Sequence, residues 1–370
     1  MSARFLTAVL ERAFNMRDGF GREIDYMRIS VIDSCNLNCY YCNPCDNNEH
    51  CHALNILSVK EVLCIVRAAT RLGIKHFRLT GGEPLLHPQL DEMVLQIKKI
   101  PGVSSVSLTT NAVLLAQHAK WLKEAGIDSI NVSLDTIDAS EYERITKKPL
   151  LEEVKHGINA AIECGIRVKI NVVLTPQTDV VALTRYVAKK GTDIRFIEMM
   201  PVGEGHTNGV EPYKKVIGTL SKLYGEPCRI NTEKTKEINS GNDKRKIPDN
   251  GPAEYYIFPE LGIRVGLIQA IHGKFCDTCN RIRVTADGRL MPCLGSSVTM
   301  DLVPDSWDFA DDVEKDFAIV RALRAAIKAK PRCHNFNDNA VTYTKTTETK
   351  TTEIEAAEVN AARNMSRIGG

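Results

Sequence analysis

The chain has 370 residues, 43% of them hydrophobic and 25% charged, which is enough apolar material for two or three domains and excludes a wholly disordered polymer. Its 48 basic and 46 acidic residues leave a formal charge of +2, which excludes a global field for nucleic acid or lipid; an anionic partner must be met by a local cluster. The longest apolar run near the start, Phe5 to Leu10, is too short for a membrane span and runs into Glu11 and Arg12, so the expectation is a cytoplasmic protein with neither signal peptide nor transmembrane helix.

After an N-terminal segment over 1–26, two periodicities alternate through residues 27–226. Short β-branched runs at Met27–Ile32, Ile74–Leu79, Val103–Thr109, Ile127–Leu134, Ile166–Leu174 and Asp193–Met199 predict strands, and their near-continuous apolar character suggests burial on both faces. Between them lie helical patterns. Val59, Val62, Leu63, Val66 and Ala69 share one face, and Leu151–Cys164 stops at Gly165. Six strand–helix units predict an α/β fold with a parallel sheet, specifically a partial (βα)6 TIM-like barrel. Pointed polar residues follow or end each strand, namely Cys35, Gly81-Gly-Glu-Pro84, Thr109-Thr-Asn111, Ser133 with Asp135 and Glu198 to Met200, while Lys169 and Asn171 lie within the fifth. In barrel-type folds that rim carries the chemistry.

Pro212–Tyr224 reads as an amphipathic helix closing this part. A C-terminal domain over 227–341 begins with a polar loop or hairpin at 230 to 252. Strands are expected at Tyr255–Phe258, Ile263–Ile268 and Ile282–Thr285, and a helix at Ala318–Lys330. Residues 342–370 hold a Thr/Lys/Glu-rich stretch, Thr342–Glu353, and end in Gly369-Gly370.

Twelve cysteines are too few for a disulfide scaffold in a chain this long, and six of them form two groups. Cys35, Cys39 and Cys42 could hold three irons of a [4Fe–4S] cube and leave the fourth open to an outside ligand. Two other readings stay open: a ferredoxin-like run Cys39, Cys42, Cys45 with Glu49 where a fourth cysteine would stand, and a zinc site of Cys42, Cys45, Cys51 and either His50 or His52. Cys276, Cys279 and Cys293 are again three, with His272 the nearest fourth ligand for zinc; a second open cube is the alternative. Arg281 and Arg283 alternate on a strand beside these thiols and suit an anion.

Cys35-Asn-Leu-Asn-Cys39-Tyr-Tyr-Cys42, followed by Gly81-Gly-Glu-Pro84, resembles the radical S-adenosylmethionine superfamily. The run from Phe275 to Leu294, together with Lys330-Pro-Arg-Cys-His334, Phe20-Gly-Arg22 and the terminal Gly-Gly, narrows the resemblance to the GTP 3′,8-cyclase family of molybdenum cofactor biosynthesis. That resemblance implies two [4Fe–4S] clusters, one on each cysteine group, the second in the C-terminal extension, with S-adenosylmethionine on the first. It implies contacts to S-adenosylmethionine from Tyr41, Gly82, Ser133 and Met200, with Gly81 beside them. For GTP it implies Arg28, Arg78, Thr109, Lys169, Arg281 and Arg283, with Arg195 as a further basic group and with Gly369 and Gly370 entering the site. The reaction implied is hydrogen abstraction from ribose C3′, attack on guanine C8 and formation of 3′,8-cyclo-7,8-dihydro-GTP. Implied partners are a one-electron donor of flavodoxin or ferredoxin type and a downstream cyclic pyranopterin monophosphate synthase; a homodimer stays open, and nucleic acid and membrane are not partners.

The chain departs from the family pattern at Asn43 and in Cys45, His50, Cys51 and His52. Two other classes compete with the cyclase. One is a peptide-modifying radical enzyme with an auxiliary cluster, against which stand the 34 residues before Cys35 and the Arg281/Arg283 pair. The other is an electron carrier or zinc-stabilised binding protein, which leaves the strand-end residues from Gly81 to Met200 unexplained.

Overall fold

The computed structural model describes residues 16–42, 55–202, 209–230, 251–296, 298–302, 312–334 and 336. In chain order these form β1 (Tyr26–Ser30), α1 (Val59–Arg71), β2 (His76–Thr80), α2 (Leu90–Lys98), β3 (Ser105–Thr110) and α3 (Leu115–Glu124). Next come β4 (Ser129–Ser133), α4 (Ala139–Thr146), α5 (Leu151–Glu163), β5 (Val168–Leu174), α6 (Val180–Lys189) and β6 (Asp193–Glu198). A π-helical turn (Tyr213–Ile217) then runs into α7 (Gly218–Tyr224), followed by β7 (Cys228–Ile230), β8 (Glu254–Ile257), β9 (Arg264–Ile268), β10 (Arg281–Val284), β11 (Arg289–Met291), β12 (Met300–Asp301) and α8 (Asp312–Lys328). All six expected strands are present as β1 to β6, with ends shifted by no more than two residues. None of the described helices is long and apolar enough to cross a membrane.

The chain separates into two compact units that interleave in sequence. The first combines Met1–Ser104, Met200–His206 and Asn280–Gly370; the second combines Ser105–Met199 and Thr207–Cys279.

In the first unit β1 is the middle of three parallel strands, with β2 on one side and β10 on the other; β11 and β12 extend the sheet antiparallel. These strands are two-faced. Met27, Ile29, Phe77, Leu79, Ile282 and Val284 are buried to 1% exposure or less, whereas the alternate positions are Tyr26, Arg28, His76, Arg78, Arg281 and Arg283. Burial of both faces by apolar side chains, the sequence expectation, therefore does not hold here: the period of two places one face in the core and gives the other to polar groups. Helices α2 and α8 both pack on α1. Helix α1 starts with a reciprocal cap, in which Glu61 N donates to Ser58 Oγ at 3.3 Å and Ser58 N donates to Glu61 Oε2 at 2.6 Å.

In the second unit β3, β4, β5 and β6 run parallel, β9 joins β6 in the same sense, and β8 and β7 follow antiparallel. Helices α3 and α5 pack together along it. The strands expected around the second cysteine group are present as β8, β9 and β10. Most of the polar stretch at 230 to 252 lies outside the described residues, as do Asn43, Cys45, His50, Cys51, His52, the Thr342–Glu353 stretch and Gly369-Gly370.

Candidate active site

The first cysteine group follows β1 directly. Val31 N donates to Thr80 O at 2.9 Å and Asp33 N to Asn55 O at 3.1 Å, so backbone bonds carry the chain up to the loop. Gly81 and Gly82 then pack against it. A Cβ on Gly82 would lie 2.2 Å from Ser34 O and 2.5 Å from Asp33 O, and one on Gly81 would lie 2.3 Å from Ile32 O. Gly82 N donates to Ile32 O at 2.7 Å and Glu83 N to Ser34 O at 2.8 Å. The two motifs that the sequence places some forty residues apart are thus one piece of structure, and the missing Cβ atoms admit the backbone that leads to Cys35.

Within the loop Cys42 N donates to Cys39 O at 2.9 Å, closing a turn. Tyr40 and Tyr41 meet edge to face at 5.3 Å. Burial pushes the Cys42 thiol up to about 12, and the neighbouring Cys35 adds to the effect. Thiol sulfur is a soft donor that metal binding deprotonates, so the chemistry of three cysteines on one short loop fits iron. Among the described residues no three His, Cys, Asp or Glu side chains converge as they would around one metal ion. A triad whose thiolates each take a different iron of a cube does not require that convergence.

The polar face of β2, β1 and β10 carries a row of arginines. Arg28 is in register with Arg78 on one side and with Arg283 on the other, and Tyr26 is in register with His76 and Arg281. Arg78 donates through Nε to Tyr26 Oη, and its guanidinium lies over the Tyr26 ring at 5.7 Å. Burial holds the Arg28 pKa well below its ordinary value, with repulsion from Arg283, Arg78 and Arg281 adding to it and Tyr26 opposing it. Like charges assembled at this spacing are complementary to a polyanion.

The second unit carries two further polar rows. Thr109, Asn131 and Lys169 are in register across β3, β4 and β5. Ser133, Asn171, Arg195 and Gly266 are in register across β4, β5, β6 and β9. Arg195 Nε donates to Asn171 Oδ1 at 2.9 Å, and the Lys169 ammonium lies 5.8 Å from the centre of the Tyr255 ring. Thr109 Oγ1 and Asn131 Nδ2 are buried and find no hydrogen-bond partner among the described residues. Buried polar atoms left without partners are costly, and these two occupy adjacent register positions on β3 and β4. Asn131 is a residue that sequence reasoning missed. The available signal was its place two residues before Ser133, on the same face of β4.

Cys276 opens a helical turn in which Cys279 N donates to Cys276 O at 3.2 Å, and both belong to the second unit. Cys293 follows β11 in the first unit, where Ser296 N donates to its carbonyl at 3.1 Å. Glu198, 4% exposed, accepts from Ile271 N at 2.7 Å and His272 N at 3.1 Å, and meets His272 Nδ1 with its other oxygen. A buried carboxylate thereby fixes the loop running into Cys276, a role the sequence did not suggest. Met200 and Tyr41 are half-buried in the first unit, whereas Ser133 is exposed in the second.

Comparison with known proteins gives two family matches, the Radical SAM superfamily over residues 29–182 and Molybdenum Cofactor Synthesis C over residues 192–336. A GTP 3′,8-cyclase of Clostridium perfringens is 35% identical over 324 residues, covering 87% of this chain and 95% of the relative. One from Pelotomaculum thermopropionicum is 36% identical over 327 residues, covering 86% and 95%. Among solved structures, that of Streptococcus suis SuiB bound to precursor peptide SuiA is similar with a TM-score of 0.53 at 14% identity, covering 87% of this chain and 70% of that one. At that identity the likeness carries the fold alone, an α/β radical-SAM fold with a mixed, unclosed sheet.

Proposed function

The chain belongs to the GTP 3′,8-cyclase family of radical S-adenosylmethionine enzymes, and from that premise we propose how its residues divide the work. The observation that carries the assignment is the identity with GTP 3′,8-cyclases over 87% of the chain. The enzyme forms 3′,8-cyclo-7,8-dihydro-GTP for molybdenum cofactor biosynthesis. When bound, the [4Fe–4S] cluster and S-adenosylmethionine supply a 5′-deoxyadenosyl radical able to take hydrogen from ribose C3′, chemistry beyond any side chain.

Cys35, Cys39 and Cys42 hold that cluster. Gly81 and Gly82 keep the loop in place, and Tyr41, Gly82, Ser133 and Met200 contact S-adenosylmethionine. Arg28, Arg78, Arg281 and Arg283 bind GTP chiefly through its phosphates. Their shared face on three strands supports this, since a triphosphate near −4 needs several cations that a nearly neutral protein supplies only locally. Thr109 and Lys169 serve the same substrate, with Arg195 as a further basic group. Cys276, Cys279 and Cys293 would hold a second [4Fe–4S] cluster, which would offer the guanine base an open iron; the spacing of the three cysteines and the cyclase kinship support it. Gly369 and Gly370 reach the same substrate. Residues 27–226 act as the radical-generating part, 227–341 as the part for the second cluster and GTP, and 1–26 and 342–370 as flanking segments. The electron arrives from a flavodoxin- or ferredoxin-type donor, and the product passes to a cyclic pyranopterin monophosphate synthase.

The test is anaerobic. Reconstituted protein, dithionite and S-adenosylmethionine are incubated with and without GTP, and 5′-deoxyadenosine and nucleotides are followed by mass spectrometry. GTP-stimulated 5′-deoxyadenosine release with a cyclised nucleotide is the expected result. Release of 5′-deoxyadenosine with GTP unchanged would reopen the substrate.

A further inference from the structure

The roles above leave the segment from Lys330 to His334 and the pair Asp18–Arg22 without a task. Lys330 is 4% exposed, a depth at which a lysine needs a specific reason. Its ammonium donates to Arg281 O at 2.8 Å and to Pro292 O at 2.9 Å. The first carbonyl belongs to the strand of Arg281 and Arg283; the second belongs to the residue directly before Cys293. Arg22 grips the same segment, donating to Pro331 O at 2.6 Å and Arg332 O at 2.9 Å. Arg22 is itself held by Asp18, buried beside it, through Nε to Oδ2. Downstream, the rings of His334 and Phe336 lie 4.2 Å apart, and both residues crowd Gly295, where a Cβ would come within 2.9 Å of the His334 Cβ and of the Phe336 ring.

We propose that Lys330 is the positioning residue of the third C-terminal cysteine, stapling the backbone before Cys293 to strand β10, with Arg22 and Asp18 anchoring the staple. Cys293 sits in irregular backbone, so its thiol has no helix or strand to hold it. One ammonium bonded to two carbonyls couples that backbone to the arginine strand directly, and a ligand's outer partners set its orientation as firmly as its own chain does. The claim rests on Cys293 being a cluster ligand, but part of its test does not.

The experiment uses the full chain carrying Lys330→Met, which keeps length and loses the donors, and Arg22→Gln, which weakens the anchor and leaves Asp18 without its cation. In metal-free protein, iodoacetamide labelling is followed peptide by peptide. Cys293 should react about tenfold faster in Lys330→Met, and faster to a smaller degree in Arg22→Gln, with Cys35 unchanged. In the reconstituted enzyme, about half of the iron should pass to a chelator several-fold faster than in the wild type. Equal acceleration at Cys35 and Cys293 would mark general loosening and overturn the proposal, as would unchanged labelling at Cys293. Wild-type protein that binds about four irons instead of about eight would end the reading of a second cluster, while the labelling would still decide the staple.

Discussion

Arg28 and Arg283 face the same side of neighbouring parallel strands, paired in register although one lies near the start of the chain and the other near its end. Arg78 completes the row on the other side of Arg28. Without an anion the three guanidiniums repel one another, and the lowered Arg28 pKa, due first to burial and then to Arg283 and Arg78, records that tension. Arg28→Met should therefore raise KM for GTP by about ten- to a hundredfold, the equivalent of about 1.5–3 kcal/mol for a charged hydrogen bond. The thermal midpoint of the metal-free protein should hold or rise. A loss of stability with KM unchanged would assign Arg28 to the scaffold instead.

Gly82→Ala should damage the first cluster. Its Cβ would meet two backbone oxygens, Ser34 O at 2.2 Å and Asp33 O at 2.5 Å, and backbone cannot yield as a flexible side chain can. The strain is of the order of 1–3 kcal/mol, and relief requires moving the chain that runs into Cys35. Iron content after reconstitution and 5′-deoxyadenosine formed without GTP should both fall, the second by about tenfold. Full iron and full cleavage would show that the loop tolerates the shift.

Asn131→Leu should separate stability from activity. Asn131 is 1% exposed and its Nδ2 is without a hydrogen-bond partner among the described residues, so an apolar side chain of similar size should leave the protein as stable or about 1 kcal/mol more stable. Cyclised product should fall at the same time, because the row of Thr109, Asn131 and Lys169 would lose its central polar group. Thermal melts and product assays on one preparation decide it. Unchanged activity would make Asn131 a tolerated flaw of the core.

His87 sets a pH dependence of stability. Its Nε2 lies 2.9 Å from Leu57 O as donor, while Nδ1 accepts from Gln89 N at 3.1 Å, an arrangement that needs the neutral ring. Burial lowers its pKa from 6.5. The unfolded chain then binds a proton at a pH where the folded chain does not, so stability is full above about 6.5 and is lost as pH falls from there toward the folded value. Melting curves from pH 8 down to pH 5 should show this decline, reduced in His87→Gln, and a midpoint equally pH-dependent in both proteins would move the cause elsewhere.

Strands β1 to β6 were legible because each is a β-branched run closed by turn residues, a pattern that local chemistry writes directly. Thr109, Ser133 and Lys169 were legible because each breaks an apolar run, Thr109 and Ser133 toward the end of a strand and Lys169 within one. Asn131 was not, since an asparagine between Ile130 and Val132 reads equally well as a satisfied core residue. Gly82 stood out as part of a motif, but that a Cβ there would meet Ser34 O is a fact of two chain segments brought together, which neither segment's sequence records. The pairing of β10 with β1 was beyond reach for another reason: register between distant strands is settled by packing and leaves no trace in either strand's own periodicity. Lys330 was singled out as part of a motif, but a carbonyl acceptor has no side-chain identity to betray it.

The place of β10 beside β1 has a consequence for how the protein is made. Strand β1 leaves the ribosome long before β10, the partner it pairs with. Until residues beyond Asn280 are synthesised, one edge of Tyr26–Ser30 presents bare N–H and C=O groups, a template for any passing strand. That edge cannot take its native partner early, because the partner lies far along the chain, and such non-local pairing is slow to form. A chain that stops at Cys279 would therefore aggregate through the Tyr26–Ser30 edge before its missing chemistry could be noticed.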